Sequence, residues 1–157
     1  MNSVACALAA LVLGGGPGGH HLDTVVQDDA QLLYRGPAAS NRAVRTLAAL
    51  GADSVRLTAS WSLLAPSPPA RARDSRAYAP VPLAGLDHAV RAARAAGLRV
   101  QIDLAFWAPR WAVARPAAQP GRDRDTPDPR AFGAFAAAMA RRYDGRFRDP
   151  VHRGRRQ

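Results

Sequence analysis

Apolar residues recur along this chain with two periods, and the periods alternate. Ala43, Val44, Leu47 and Leu50 stand at helical spacing with Arg42 and Arg45 on the far side, and Ser40 is placed to cap that helix. Beyond Gly51 the pattern changes to a β-type run, Ser54–Ser60. A second helix entered at Pro82 carries Leu83, Leu86, Val90 and Ala93 on one stripe, with Asp87 spaced to pair with Arg91. After Gly97, residues 100–106 form another β-type run with so little polar interruption that a strand covered on both faces is predicted. Helix, glycine and strand thus follow one another twice, the αβ half of a βαβ unit, because glycine takes the left-handed conformation that ends a helix. Two such units in series predict a parallel sheet.

Two further segments complete the pattern. Residues 23–26, ending in Gln27, Asp28 and Asp29, form a brief first strand with carboxylates at its C-terminal edge. Asp128 and Pro129 open a last helix whose stripe is Phe132, Phe135, Ala136, Met139 and Tyr143. Residues 148–157 do not read as a strand, so the expectation is α/β: about three βα units, with the chain stopping before a fourth strand.

At 157 residues and 48% apolar composition the chain can bury one core. The predicted organisation is a signal-like or disordered segment at 1–21, an α/β domain at 22–147 and a basic tail at 148–157. The net charge of +10 changes this little: all basic residues are Arg and all acidic residues Asp, a codon-bias signature, and the arginines are dispersed apart from Arg153, Arg155 and Arg156. No nucleic-acid partner is expected. Residues 4–13 are wholly apolar and run into Gly14, Gly15 and Gly16, like the core and exit of a secretory signal, although no Arg precedes them. Export is the expected outcome, with a flexible N-terminal tail on a cytoplasmic protein as the alternative. The run is too short to span a bilayer.

Candidate chemistry gathers where strands end, since α/β proteins place their sites at the C-terminal edge of a parallel sheet. Asp28 and Asp29 follow the first strand, with Asp28 the candidate ligand contact, Arg56 and Trp61 belong to the second, and Asp103, Phe106, Trp107 and Trp111 to the third. Sugar C–H faces stack on aromatic rings and sugar hydroxyls need Asp and Arg partners, so a carbohydrate is the expected ligand. The alternative is that Trp61 and Trp107 cap the ends of a core. Arg56 and Asp103 are a candidate structural pair. Other chemistry is not supported. Cys6 is the sole cysteine, His20, His21, His88 and His152 have no ligand spacing, and the glycine run is followed by no Lys-Ser/Thr, so neither metal nor cofactor is expected.

Val55-Arg56-Leu57-Thr58-Ala59-Ser60-Trp61 resembles the second strand of the (β/α)8 glycoside hydrolases related to cellulase family 5, and Val100-Gln101-Ile102-Asp103-Leu104 resembles their third. Ala108-Pro109-Arg110-Trp111-Ala112 is similar to the Pro-x-Trp-Ala segment after the third strand in the family 39 and 42 branches of that clan. The resemblance covers residues 23–147. It implies the N-terminal portion of a TIM (β/α)8 barrel, a saccharide cleft reaching Trp111, and an Arg56 that supports a nucleophile.

Those relatives use two glutamates, one after the fourth strand and one after the seventh, and retaining hydrolysis needs its two carboxyl groups about 5 Å apart. This chain contains no glutamate. Ala105 and Phe106 stand where the family 5 pattern often has a His. The expected function is therefore a glycoside hydrolase portion that is inactive alone, with a non-catalytic carbohydrate-binding α/β module as the alternative and a flavodoxin-like protein as a third. The uncovered strand edge predicts self-association.

Overall fold

The computed structural model describes residues 22–105, 107–113 and 126–148. The apolar N-terminal run with Cys6, the paired His20 and His21, Phe106, most of the loop before Asp128 and the tail beyond Arg148 lie outside the described residues.

Among the described residues three strands, β1 (Val25–Val26), β2 (Ser54–Ser60) and β3 (Arg99–Ala105), form one sheet in sequential order. Both neighbouring pairs are parallel, with Val25 opposite Ser54 and Thr58 opposite Asp103. They are accompanied, among the described residues, by the helices α1 (Pro37–Ala49), α2 (Trp61–Leu64), α3 (Pro80–Ala95) and α4 (Pro129–Arg142). A single π-type turn at Ala30–Tyr34 and a 3-10 turn at Ser75–Ala77 fill two of the connections.

The glycines that the pattern singled out do the work expected of them. After α1, Gly51 takes φ 81° and its N–H bonds Ala48 O at 3.1 Å while Ala52 N–H reaches back to Leu47 O at 3.0 Å. After α3, Gly97 takes φ 82°, its N–H bonds Arg94 O at 3.1 Å, and Leu98 N–H reaches Ala93 O at 3.0 Å. Both are Schellman closures, which satisfy carbonyls the helix end would otherwise leave bare. Each delivers the chain directly into the next strand.

The sheet has two unlike faces, as its side-chain period of two requires. Val55, Leu57 and Ala59 are fully buried in one cluster with Val44 of α1, Leu86, Ala89, Val90 and Ala93 of α3, and Phe135 and Met139 of α4. The opposite face carries Ser54, Arg56, Thr58 and Ser60 beside Arg99, Gln101 and Asp103, and Arg56, Arg99 and Gln101 are exposed. The expectation of a third strand covered on both faces is therefore corrected: only its Val100, Ile102 and Leu104 side packs on the core, and these remain half-buried.

Helix entries differ from the reading of the sequence in instructive ways. The first helix starts at Pro37 behind a Gly36 at φ 79°, so Ser40 is not a cap but a buried first-turn residue whose Oγ has no hydrogen-bond partner among the described residues. A proline fits the first helical position because its missing N–H has no partner to lose there. The same preference opens α3 at Pro80 rather than Pro82. The last helix starts as expected, with Asp128 accepting from Arg130 N at 2.8 Å and Pro129 first in the helix. Leu50, read as part of a buried stripe, is exposed just past the end of α1. Asp87 points inward to Arg142 and is buried, so its principal partner lies across the core rather than one turn along its own helix.

Candidate functional site on the polar sheet face

The polar face of the sheet is built by register. Arg56 and Asp103 sit on the same side of neighbouring parallel strands, and Arg56 Nη2 lies 3.1 Å from Asp103 Oδ2. Their side chains are 44% and 33% exposed, so the pair is held by the sheet yet open to a ligand. Thr58, opposite Asp103, links this pair to the end of β1. Gln27 donates from Nε2 to Thr58 Oγ1 at 3.1 Å, and Asp29 Oδ1 accepts the Thr58 N–H at 3.2 Å. That N–H stands where β1 has already left the sheet, and the carboxylate replaces the missing strand.

Asp29 and Gln27, not Asp28, are thus the residues that extend the polar row. Strand parity is the signal that separates Asp29 from Asp28 and adds Gln27. Val25 is opposite Ser54, so positions 27 and 29 continue on the side of Arg56 and Thr58, whereas 28 falls on the other side. Asp28 instead accepts from Gln31 N at 3.1 Å and lines a separate groove of about 450 Å³ with Arg42, Ala43 and Leu47.

A second cavity, of about 270 Å³, opens at the C-terminal end of β2. Thr58 and Ser60 contribute to its wall, Leu64 and Leu86 are among its buried lining, and the exposed Tyr34, Leu63 and Val81 surround it. Burial, and then the nearby Asp29 charge, push the Tyr34 phenol above its ordinary value. Nothing in the periodicity singles out Tyr34. It enters through the π-type turn, which no spacing rule anticipates.

The three tryptophans divide. Trp61 is 3% exposed and lies in the core, stacked on Phe135 at 5.6 Å between centroids and edge-on to Trp111 at 6.1 Å. It takes the core-capping alternative, and its Nε1 finds no hydrogen-bond partner among the described residues. Trp111 is half-buried and donates from Nε1 to Ala65 O at 2.9 Å. Trp107 alone stands out in solvent, 61% exposed two residues past β3, with φ 53°. It is the one non-glycine residue in the left-handed region among the described residues. A bulky residue held there is strained, a cost that ordinary packing does not demand.

Chemically, the face carries two guanidiniums (Arg56, Arg99), two carboxylates (Asp29, Asp103), three hydroxyls (Ser54, Thr58, Ser60) and two carboxamides (Gln27, Gln101), and the exposed Trp107 indole follows β3. Groups of these kinds form hydrogen bonds with hydroxyls. Among the described residues no group of three His, Cys, Asp or Glu side chains could hold a metal ion, and His88 faces Asn41 Oδ1 at 3.0 Å instead. No described helix is long and apolar enough to cross a membrane. Compared with protein family models, curated proteins and solved structures, the chain has no match.

Proposed function

We propose that this chain carries the first three βα units of a (β/α) barrel of the glycoside hydrolase type, with the outer edge of β3 left open, and that its polar sheet face takes a carbohydrate without cleaving it. Strands in sequential parallel order, with the helices sharing one core on a single side, are what the start of such a barrel looks like, and they leave the other side to face a barrel interior. The observation that carries the ligand class is the half-open Arg56–Asp103 pair, flanked by Thr58, Gln27 and Asp29. A charged fork with a hydroxyl and an amide along one row matches the vicinal hydroxyls of a sugar ring, and the strained, exposed Trp107 supplies a stacking surface past β3.

Hydrolysis is not expected of these residues. No glutamate is present, and Asp29 is committed to the Thr58 backbone while Asp103 is committed to Arg56. These carboxyl groups follow β1 and sit on β3, not on the later strands whose ends carry the pair in the family that the sequence resembles.

The test is a titration of the full chain with β-linked gluco- and manno-oligosaccharides, following tryptophan emission. Saturable quenching in the millimolar range or tighter is expected. It should vanish in Trp107→Ala and weaken strongly in Arg56→Ala, while both variants keep their unfolding midpoint. Aryl glycosides should be hydrolysed no faster than by a heat-treated sample. A complete lack of saturable quenching overturns the ligand class, and turnover that Asp103→Asn abolishes overturns the absence of catalysis.

A further inference from the structure

The outer edge of β3 is a row of backbone groups that no described residue pairs with. Arg99 donates its N–H to Asp53 O at 3.0 Å, which fixes the parity of the strand. Arg99, Gln101, Asp103 and Ala105 turn their backbone groups toward β2, so Val100, Ile102 and Leu104 turn theirs outward. The side chains agree. Val55, Leu57 and Ala59 of the central strand are fully buried, whereas Val100, Ile102 and Leu104 are only half-buried on the same face, for want of one more strand.

We propose that a second copy of the chain pairs with this edge, β3 against β3, antiparallel about a twofold axis at Gln101. A strand from any other polypeptide would compete for the same row, and the charges on β3 favour its own copy. Outward-facing residues must meet outward-facing residues, which admits only registers that set even positions opposite even positions. Centred on Gln101, Val100 meets Ile102 of the second copy and Leu104 meets its Leu98. Arg99 then lies directly opposite Asp103 of the second copy, and Asp103 opposite its Arg99. One step along in either direction, centred on Val100 or Ile102, both charge pairs are lost, and centring on Asp103 stacks two aspartates. A parallel in-register pair stacks like on like throughout. Directly opposite charges stabilise a pair of strands and like charges oppose it.

The new contacts join ion pairs already in place. Arg99 Nη2 holds Asp23 Oδ1 at 2.7 Å and remains 60% exposed, and Asp103 holds Arg56. Pairing strings them into an alternating ladder, Asp23, Arg99, then Asp103 and Arg56 of the second copy, along a continuous six-stranded polar face. This inference rests on the strand edge and not on the carbohydrate reading, and its test contains no sugar.

Sedimentation equilibrium of the full chain carrying Cys6→Ser should give a dimer. In that background Gln101→Cys should oxidise to a disulfide-linked dimer, because the twofold-related positions form a non-hydrogen-bonded pair with Cα atoms about 4.5 Å apart, within disulfide reach. Arg99→Asp should weaken dimerisation about tenfold or more, and adding Asp103→Arg should restore it. Circular dichroism melts verify that each variant is folded. A monomer at every concentration, a dimer that Gln101→Cys does not cross-link, or a charge swap that fails to rescue a folded double variant overturns the proposal.

Discussion

The guanidinium of Arg142, at the end of α4, lies fork to fork on the carboxylate of Asp87 in the middle of α3, and both side chains are buried. Tyr143 donates its hydroxyl to Asp87 Oδ1 at 2.8 Å, and Arg142 Nη1 donates to Ser75 Oγ at 3.2 Å. The Phe147 ring covers the guanidinium at 4.5 Å. Two helices and the 3-10 turn are tied at one point. Removing one member leaves the other charged and dry, which typically costs about 3–5 kcal/mol, whereas replacing both with apolar residues of similar size is often close to neutral. Asp87→Ala should therefore lose about 3–5 kcal/mol in urea unfolding, and Asp87→Leu with Arg142→Met should recover most of it. A small loss in the single variant would mean that water reaches the pair.

The same cluster sets an alkaline limit. Burial first, and then the Asp87 charge, push the Tyr143 phenol far above its ordinary 10.0, and burial raises Tyr78 to about 12. An unfolded tyrosine gives up its proton from about pH 10, while the folded one keeps it. The stability these two contribute is therefore complete below pH 10 and falls as the pH climbs through 10 toward 12. Thermal midpoints recorded across that interval should drop steeply, and Tyr143→Phe should flatten the drop at some cost in stability at neutral pH.

Gly51 and Gly97 give a cleaner backbone test than most glycines do. A Cβ added at either would meet nothing within 4 Å, so any cost of substitution comes from φ alone. Gly51→Ala and Gly97→Ala should each lose about 1 kcal/mol, and asparagine at the same positions less, since it tolerates the left-handed region better. An unchanged unfolding midpoint in the alanine variants would show that the helix ends relax without the left-handed turn.

Those two glycines were also where the sequence was easiest to read. A helix stripe that stops at glycine and restarts as a β-run is a local signal, and β2 has the bounds that the pattern predicted. The Arg56–Asp103 pair was legible for the same reason, because both residues lie on strands whose order the topology restricts. What local pattern could not carry was direction across the core. Asp87 has a basic residue one turn along its own helix, yet its fork-to-fork partner is Arg142, which only tertiary packing brings near. Asp28 and Asp29 are adjacent, and their different roles depend on strand parity in a strand of two residues, too short to show a period. Trp61 and Trp107 each follow a strand, and one is drawn inward by Phe132 and Phe135 on a helix that begins far later in the sequence.

That division between the tryptophans can be tested by substitution. Trp61 contacts Trp111, Phe132 and Phe135 and is almost wholly buried, so Trp61→Ala should cost about 3–5 kcal/mol through lost burial and the cavity left behind. Its Nε1 has no partner among the described residues, so Trp61→Phe discards an unsatisfied donor together with one ring and should cost much less than the alanine variant. Trp107 buries little and sits at a φ that suits glycine, so Trp107→Gly should be neutral or stabilising by up to about 1 kcal/mol. Acrylamide quenching offers an independent measure: Trp107→Gly should remove most of the accessible emission and leave the blue-shifted emission of the core. Equal destabilisation by Trp61→Ala and Trp107→Ala would mean that Trp107 packs against protein, and the exposed stacking surface on which carbohydrate recognition depends would be lost with it.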